Sequence, residues 1–337
     1  MLYRGFVRLV DLLPMPSRRA QIGVAIAVLI TQAGIAVTGS VVRVTASGLG
    51  CPTWPQCFPG SFTPAPHTNV AGFHQAVEFG NRLLTFAVVA TAALIVIAVT
   101  RARRRREVKV YAWLMPLSTV AQAVIGGLTV LTGLLWWTVA IHLLVSMAMV
   151  WLSVLLLEKV REPDDTEAIA VVPQPLRALT VLSAAVLGLL LVAGTMVTGA
   201  GPHAGDASIE KPVPRLEIAI TSLVHFHAEV MVAYLALIVA LGFGLAAVGA
   251  PARVRNRLYV VVALIVVQAG IGFTQYVTGI PEALVVAHVA GAGACVAATA
   301  ALWVSMRPRL RVEEVAATSG ADRTRLERTG LGEVVEN

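Results

Sequence analysis

Two histidines in this chain occupy equivalent positions of an internal repeat. The segment that begins at Gln122 and contains His142 is matched by the segment that begins at Gln268 and contains His288, at a constant offset of 146 residues. In both copies two apolar runs are joined by a Thr-Gly pair, and the histidine lies inside the second run. Ionisable residues inside membrane-length apolar runs are rare and usually functional. Neutral imidazole is a common metal ligand, so the repeat favours metal binding at both positions.

The same offset identifies a partner for His288. It places His227 opposite Asn81, and His225 opposite Phe79, on two further apolar runs. Two imidazoles from different helices of an apolar four-helix bundle are suited to axial ligation of haem iron. We therefore predict His227 and His288 as the ligands of one haem. His225 is the alternative on that helix, about 200° around its axis from His227. Zinc would need three or four clustered ligands, a pattern that the sequence does not show.

The first copy is less regular. His74, Glu78 and Asn81 follow the i, i+4, i+7 spacing of one helix face, and Asn81 stands where the repeat predicts a histidine. If this half also binds a haem, His142 would hold the iron, and His74, two turns from Asn81, is the candidate second ligand. The alternative is that His74 lies at the membrane interface and binds no metal.

Three charged residues near the outer ends of the predicted helices are further candidates. Glu78 is the candidate catalytic residue, as a proton acceptor or as a stabiliser of a cationic intermediate; the alternative is a structural ion pair with Arg82. Arg43 could bind haem propionates through its forked guanidinium group, or extend to lipid headgroups. Arg82 is a second candidate for a propionate or substrate contact.

The composition is that of a membrane protein. Of 337 residues, 57% are hydrophobic and 13% are charged, whereas soluble domains carry about 25% charged residues. Mean hydropathy is +0.79. Apolar runs near 20 residues can cross a hydrocarbon core of about 30 Å. We therefore predict an all-α polytopic protein with eight transmembrane helices, at 22–42, 74–99, 110–133, 136–157, 177–199, 217–243, 257–279 and 283–305.

The basic residues indicate how the chain is oriented. They precede the first span and recur in alternate connections, at 101–109, 251–257 and 307–311, which all lie on one side of an eight-span protein. Cytoplasmic loops carry an excess of Lys and Arg, so we expect a multi-pass membrane protein with both termini in the cytoplasm. The pI of about 9.8 then reflects orientation, and we expect no nucleic-acid partner.

Two cysteines lie in the first outside loop. Spans one and five match at an offset of 160 residues, so this loop is 14 residues longer than its counterpart in the second half. Cys51 and Cys57 fall within it, and in an oxidising compartment they are expected to form a disulfide. Two free thiols and a redox-active dithiol are the alternatives.

The repeat also defines the predicted domain organisation. Four spans per half make the two halves parallel, as two four-helix bundles related by an axis along the membrane normal. The predicted divisions are a cytoplasmic flank, an N-terminal half, a cytoplasmic linker, a C-terminal half and a disordered cytoplasmic tail, at 1–21, 22–157, 158–176, 177–305 and 306–337.

The segment GSVVRVTASGLGCPTWPQC at 39–57 resembles the signature of the haem A synthase family, an Arg-x-Thr-x-Ser-Gly-Leu run after the first span. Members of that family have eight spans in two four-helix halves, with histidines on the even-numbered spans, and one bacterial class adds a cysteine pair in this loop. The chain is similar to that pattern over about 22–305.

The resemblance implies an oxidoreductase that converts the C8 methyl group of haem O, through an alcohol, to the formyl group of haem A. It implies substrate in the first half and haem b in the second, bound by His227 and His288. The family's Glu-x-x-His pattern ends here in Asn81. Either His74 replaces the missing ligand, or the iron is five-coordinate on His142. The implied partners are haem O synthase, the cytochrome oxidase assembly machinery, membrane lipid and an unidentified electron acceptor.

Two other functions compete with this one. A cytochrome b-like, quinol-linked electron carrier would more naturally have complete histidine pairs in both halves, so Asn81 counts against it. A transporter built from parallel repeats would need broken helices and a polar path, and neither is evident in the sequence.

Overall fold

The computed structural model describes residues 2–66, 70–206 and 212–309, and these residues form helices without a strand. The helices of the described chain are α1 Leu2–Val10, α2 Arg18–Val44, α3 Gly72–Arg101, α4 Arg106–Leu131, α5 Trp136–Arg161, α6 Gln174–Ala200, α7 Ile220–Ala247, α8 Ala252–Val277 and α9 Glu282–Ser305.

Eight of these helices, α2 to α9, are long and apolar enough to cross a membrane. They are 24 to 30 residues long, and at 1.5 Å per residue even the shortest exceeds the thickness of a hydrocarbon core. The predicted all-α polytopic fold with eight spans is confirmed. Helix α1 falls inside the predicted N-terminal flank and was not expected. It contacts α3, and the ring of Phe6 lies edge-on to Trp113 of α4, with ring centroids 5.6 Å apart.

The helices of each half close the same ring of contacts. In the first half α2 packs on α3, α3 on α4, α4 on α5 and α5 on α2. In the second half α6, α7, α8 and α9 make the equivalent four contacts. Between the halves, α2 packs on α9 and α5 on α6, which are equivalent pairs if the chain is a repeat. These contacts support the parallel-repeat arrangement, which itself stays a prediction.

The backbone of the turns repeats at the offset read from the sequence. Among the described residues, three pairs separated by 146 positions have positive φ angles on the connections between helices. The pairs are Arg103 (54°) with Gly249 (60°), Gly133 (66°) with Gly279 (79°), and Leu134 (60°) with Ile280 (61°). The Thr-Gly pairs therefore end their helices in the left-handed conformation, for which glycine is the favoured residue.

One apolar cluster joins the two halves. Met147 and Val150 of α5 belong to the same buried cluster as Tyr234 of α7 and Val296 of α9. Burial of apolar side chains across this boundary holds the halves together in their middle.

An ion-pair cluster joins the halves at the end that carries the basic loops. The buried carboxylate of Glu158, on α5, accepts hydrogen bonds from Arg161, Arg253 and Arg257 at 3.0, 2.7 and 2.8 Å. Arg253 and Arg257 belong to α8, so one carboxylate connects the first half to the second. A buried carboxylate with three cationic donors keeps its charge and its geometry.

The substitution Glu158→Gln is expected to destabilise the protein by about 1–3 kcal/mol, because it leaves three guanidinium groups without their shared anion while keeping the side-chain volume. Thermal unfolding in detergent measures this as a midpoint that falls by several degrees. Glu167→Gln, at an exposed linker position, is the control and should change stability by less than about 0.5 kcal/mol. An unchanged unfolding midpoint in Glu158→Gln would show that the ion-pair cluster makes no net contribution to stability.

The linker is fixed to the first half by a second charged cluster. Arg104 binds Asp164 at 2.7 Å, and Arg105 binds Asp164 at 3.0 Å and Glu162 at 2.6 Å. Partial burial raises the pKa of Asp164, but Arg104 and then Arg105 outweigh it and hold that pKa below its ordinary value. Asp164 is therefore ionised at neutral pH.

The linker also pairs with the chain that follows α9. The amide of Ile169 donates to the carbonyl of Pro308 and that of Val171 to the carbonyl of Met306, both at 3.0 Å. The first four residues of the predicted tail, 306–309, thus pair with the linker, and the disorder of the tail stays a prediction. The rest of the predicted tail, 310–337, lies outside the described residues.

Candidate functional site

His227 of α7 and His288 of α9 face each other in the second half. Their ring centroids are 6.2 Å apart, and the ring planes are inclined by 61°. A metal ion bound on both sides at about 2 Å per nitrogen holds two imidazole centroids about 6 Å apart. The separation of this pair therefore fits an iron atom between the rings. His225 is exposed and points away, so the structure brings His227, and not its rival, to His288.

One ring nitrogen of each of three imidazoles, those of His142, His227 and His288, has no hydrogen-bond partner in the described chain. The Nδ1 atoms of His142 and His288 are buried and have no hydrogen-bond partner in the described part of the chain. The Nδ1 atom of His227 is buried too; the backbone of Leu190 lies beside its ring, but no hydrogen bond of normal geometry joins them. Buried polar atoms are normally satisfied. Three orphaned imidazole nitrogens at these positions are what residues prepared to hold a haem would show.

A glycine of a neighbouring helix lies against each of the three rings. A Cβ atom added to any of these glycines would lie 3.2 to 3.4 Å from the Cε1 atom of the ring, which is closer than most side-chain contacts. The absent side chains leave the space that the rings occupy. The pairs are Gly126 with His142, Gly272 with His288, and Gly194 with His227.

A repeated glutamine fixes the helix segment of each repeat histidine. The amide of Gln122 donates to the carbonyl of His142 at 3.2 Å, and the amide of Gln268 donates to the carbonyl of His288 at 2.8 Å. Both glutamines lie on the preceding helix, so they hold the two histidines at matching depths. The sequence contained this signal, since both glutamines begin the repeated segments, but their hydrogen-bond partners could not be read from it.

Among the described residues of the first half, no two histidines face each other in this way. Asn81, at the position equivalent to His227, accepts a hydrogen bond from the Thr38 hydroxyl at 2.7 Å through its side-chain oxygen. The Nδ1 atom of His74 lies 2.9 Å from the hydroxyl oxygen of Ser47, and its ring contacts Phe73. Seven residues of helix separate His74 from Asn81, or about 10 Å along α3. His74 is therefore displaced towards the helix start from the place opposite His142.

Glu78 is buried beside the loop between α2 and α3. Its Oε2 atom accepts from the Cys51 amide at 2.6 Å, and its Oε1 atom accepts from Arg82 at 2.6 Å. The side chain of Glu78 is 7% exposed and that of Arg82 is 22% exposed. Glu78 therefore forms the ion pair with Arg82 that the sequence suggested as its alternative role. The ion pair does not exclude chemistry, because the carboxylate lies one helical turn from Asn81 on the face that the sequence assigned to the site.

The loop that carries Cys51 and Cys57 is closed by the predicted disulfide and held by Arg82. Cys51 and Cys57 are bonded to each other and fully buried. The guanidinium group of Arg82 donates to the carbonyls of Cys51, Thr53 and Gln56 at 2.8, 3.0 and 3.3 Å. Arg82 thus has a loop-anchoring role that the sequence did not reveal, and its contact with substrate stays a prediction.

Trp54, between the two cysteines, packs against α4 near its C-terminal end. A Cβ atom on Gly127 would lie 2.5 Å from its indole ring. The neighbouring residue, Gly126, lies against the His142 ring. The loop therefore packs over the helix face next to the first-half histidine, and the absence of a side chain at Gly127 permits that contact.

The substitution Gly127→Ala is expected to lift Trp54 and loosen the loop, because no alanine fits at that distance. Overpacking of this kind costs about 1–3 kcal/mol, so amides of residues 51–57 should exchange with deuterium at least about fivefold faster. Gly188→Ala, on α6, where an added Cβ meets nothing within 4 Å, is the matched control. Equal deuterium exchange rates in Gly127→Ala and Gly188→Ala would mean that the packing of the Trp54 indole does not require a glycine at position 127.

The signature after the first span forms a joint between the halves. Arg43 donates to the carbonyl of Thr198, at the end of α6, at 2.9 Å. The amide of Gly48 donates to the carbonyl of Gly205 at 2.7 Å, and a Cβ atom on Gly48 would lie 2.9 Å from that same oxygen. Ser47 binds His74 and pairs through its backbone with Asp206. The Nε atom of Arg43 is buried without a partner in the described chain, so a propionate contact there stays a prediction.

Comparison with known proteins gives one matching family and three similar relatives. The family model for COX15-CtaA, described as a cytochrome oxidase assembly protein, matches residues 23–300. Proteins named "Heme A synthase" are 34% and 36% identical over 101 residues in Geobacillus thermodenitrificans and Geobacillus kaustophilus, covering 30% of this chain and 30% of each relative. One from Lysinibacillus sphaericus is 32% identical over 124 residues, covering 36% of this chain and 39% of the relative.

These pairwise matches span well under two thirds of each relative, so they show local likeness. The family model, in contrast, spans all eight membrane helices from α2 to α9, apart from the last residues of α9 and the first of α2. The chain belongs to the COX15-CtaA family of cytochrome oxidase assembly proteins.

Proposed function

We propose that this protein is a haem A synthase, an oxidoreductase that converts the C8 methyl group of haem O to the formyl group of haem A. The observation that carries the proposal is the asymmetry between the halves. One half holds a facing pair of histidines, and the other holds a single repeat histidine and a buried carboxylate. The membership of the family and the names of the three relatives support it.

The second half would hold haem b between His227 and His288. The 6.2 Å ring separation and the buried, unpartnered Nδ1 atoms fit that group. A haem with two histidine ligands supplies one-electron transfer when bound. The protein fixes the orientation of the rings through Gly194 and Gly272, and through the hydrogen bond from Gln268 to the His288 carbonyl.

The first half would bind the substrate haem O on His142. Asn81 is engaged with Thr38, and His74 with Ser47, so a five-coordinate substrate iron is the arrangement that these contacts favour. His74 as second ligand stays the alternative. A single protein ligand leaves one face of the substrate accessible. The loop of residues 51–57 then shields that half from bulk water, because it packs onto α3 and α4 through Arg82 and Trp54.

Glu78 would handle protons in this half. Conversion of the methyl group to the alcohol would take its oxygen atom from water and release two protons and two electrons. Conversion of the alcohol to the aldehyde would release two more of each. A buried carboxylate in this half can accept such protons. The Cys51 amide and Arg82 hold the carboxylate in one orientation. The electrons would pass to an acceptor that the protein does not itself supply.

The cellular setting follows from the same proposal. Haem O synthase would supply the substrate, and the cytochrome oxidase assembly machinery would receive haem A. The protein would lie in the bacterial cell membrane, surrounded by lipid, with both termini in the cytoplasm and the Cys51–Cys57 loop outside. The concentration of Arg and Lys at 101–109 and 251–257 supports that orientation.

Haem extraction from cells that make haem O but no haem A tests the function. With the protein present, mass spectrometry should detect haem A or its hydroxylated intermediate, and without it neither should appear. The His142→Ala variant is the matched control, since it removes the proposed substrate ligand and leaves the second-half pair intact. If cells with a folded, haem-loaded protein yield only haem O and haem b, the protein is an electron carrier of the cytochrome b type.

A further inference from the structure

A cavity of about 480 Å³ lies between the two halves at the end that carries the basic loops. Its walls come from α4 and α5 of the first half, from α6 and α9 of the second, and from the linker. It is distinct from the histidine sites, because its lining residues belong to the opposite end of those helices. An occupant of this cavity would contact both halves and the linker at once.

The cavity has an excess of positive charge. Four cations line it, Lys159, Arg177, Arg307 and Arg309, against two carboxylates. The carboxylates are already engaged: Glu107 pairs with Lys159, and Glu162 with Arg105 at 2.6 Å. Within the described part of the chain, two guanidinium groups of the lining have no carboxylate partner.

Those two groups belong to Arg177 and Arg307. Neither forms an ion pair with another residue of the described chain. The Nε atom of Arg177 is buried and has no hydrogen-bond partner there. A buried guanidinium N–H group that has no acceptor costs about as much free energy as the loss of a hydrogen bond to a charged group. An anion inside the cavity would satisfy it.

We propose that this cavity binds the headgroup of an anionic phospholipid. Guanidinium groups bind phosphate through paired hydrogen bonds, and basic pockets between membrane helices on the cytoplasmic side suit anionic headgroups. The remaining lining favours a lipid over a soluble anion. Leu155 and Val304 supply apolar wall, and Tyr111 and Trp303 lie within two turns of the ends of α4 and α9, where aromatic residues meet the membrane interface.

The bound lipid would stabilise the contact between the halves. Its phosphate would join Arg177 of α6 to Arg307 after α9, while Lys159 and Arg309 remain in the existing network with Glu107. This inference does not depend on the proposed reaction, because none of these residues touches a histidine site.

Native mass spectrometry of the full-length, haem-loaded protein titrated with phosphatidylglycerol tests it, with phosphatidylcholine as the uncharged comparison. One phosphatidylglycerol molecule should bind with clear preference over phosphatidylcholine. Each arginine near a membrane phosphate contributes about fivefold in affinity. The single variants Arg177→Gln and Arg307→Gln should each weaken binding about fivefold, and the double variant about 25-fold. Arg106→Gln, an exposed arginine outside the cavity at the same end of α4, should leave binding unchanged.

Two further arms make the outcome decisive. Inorganic phosphate and glycerol phosphate are added as competitors, and displacement of the lipid by either at millimolar concentration would overturn the lipid identity in favour of a soluble phosphate. Equal affinity for the two lipids, or unchanged binding in the double variant, would overturn the site itself. The haem spectrum of each variant confirms that the protein is folded, so loss of binding is not loss of structure.

Discussion

The variants His227→Ala and His288→Ala should each lose the haem of the second half, with occupancy reduced at least tenfold. Each removes one of two imidazoles whose centroids lie 6.2 Å apart, and the remaining ring cannot complete a bis-histidine site. The loss of a group that merely orients a metal ligand already costs about 10- to 100-fold in affinity, so loss of a ligand should cost more. The haem-to-protein ratio and the visible spectrum of the purified protein measure the effect.

His225→Ala is the matched control. It removes an imidazole from the same helix, two residues away, but its side chain is exposed and does not face His288. Haem content and spectrum should remain those of the unmodified protein. The assignment would be wrong if His225→Ala lost the haem while His227→Ala kept it. Loss of haem in all three variants would indicate general damage to α7, which circular dichroism would reveal.

The fold was largely predictable because its main determinant is local. Whether a run of residues can cross a membrane depends on its length and apolarity alone, so the eight spans agree with α2 to α9 to within a few residues. The repeat also predicted that His142 and His288 lie at the same depth, since each follows its glutamine by the same number of residues. Helix periodicity could not choose between His225 and His227; the packing of α7 against its neighbours made the choice.

The parts that escaped prediction depend on contacts between distant segments. Nothing in the sequence around Gly48 shows that it meets Gly205, and nothing around Trp54 shows that it meets Gly127. Helix α1, with nine residues, is too short to resemble a span, and Phe6 packs it against Trp113. The signature after the first span was recognised by its residues, but its role as a joint between halves appears only once both halves are packed.

Glu78→Gln should lower the turnover of haem O at least 100-fold while both haem sites stay loaded. A positioned proton acceptor contributes about 10² to 10⁴ in rate, and the amide cannot accept a proton at neutral pH. The substitution keeps the volume of the side chain in its buried place, where it is 7% exposed. Conversion of haem O by purified protein, followed by mass spectrometry, gives the rate, and the visible spectrum gives haem content.

Arg82→Gln separates a proton-handling role of Glu78 from loop anchoring. Arg82 makes the ion pair with Glu78 and also holds the carbonyls of Cys51, Thr53 and Gln56, so its loss should loosen the loop more than Glu78→Gln does. If Glu78 acts only as an anchor, Arg82→Gln must reduce kcat at least as much. If Glu78 handles protons, Arg82→Gln should keep kcat within about tenfold, since it leaves the carboxylate in place. Deuterium exchange of residues 51–57 in both variants measures the anchoring independently of the rate. A raised KM in Arg82→Gln with kcat retained would be the mark of the predicted contact between Arg82 and the substrate.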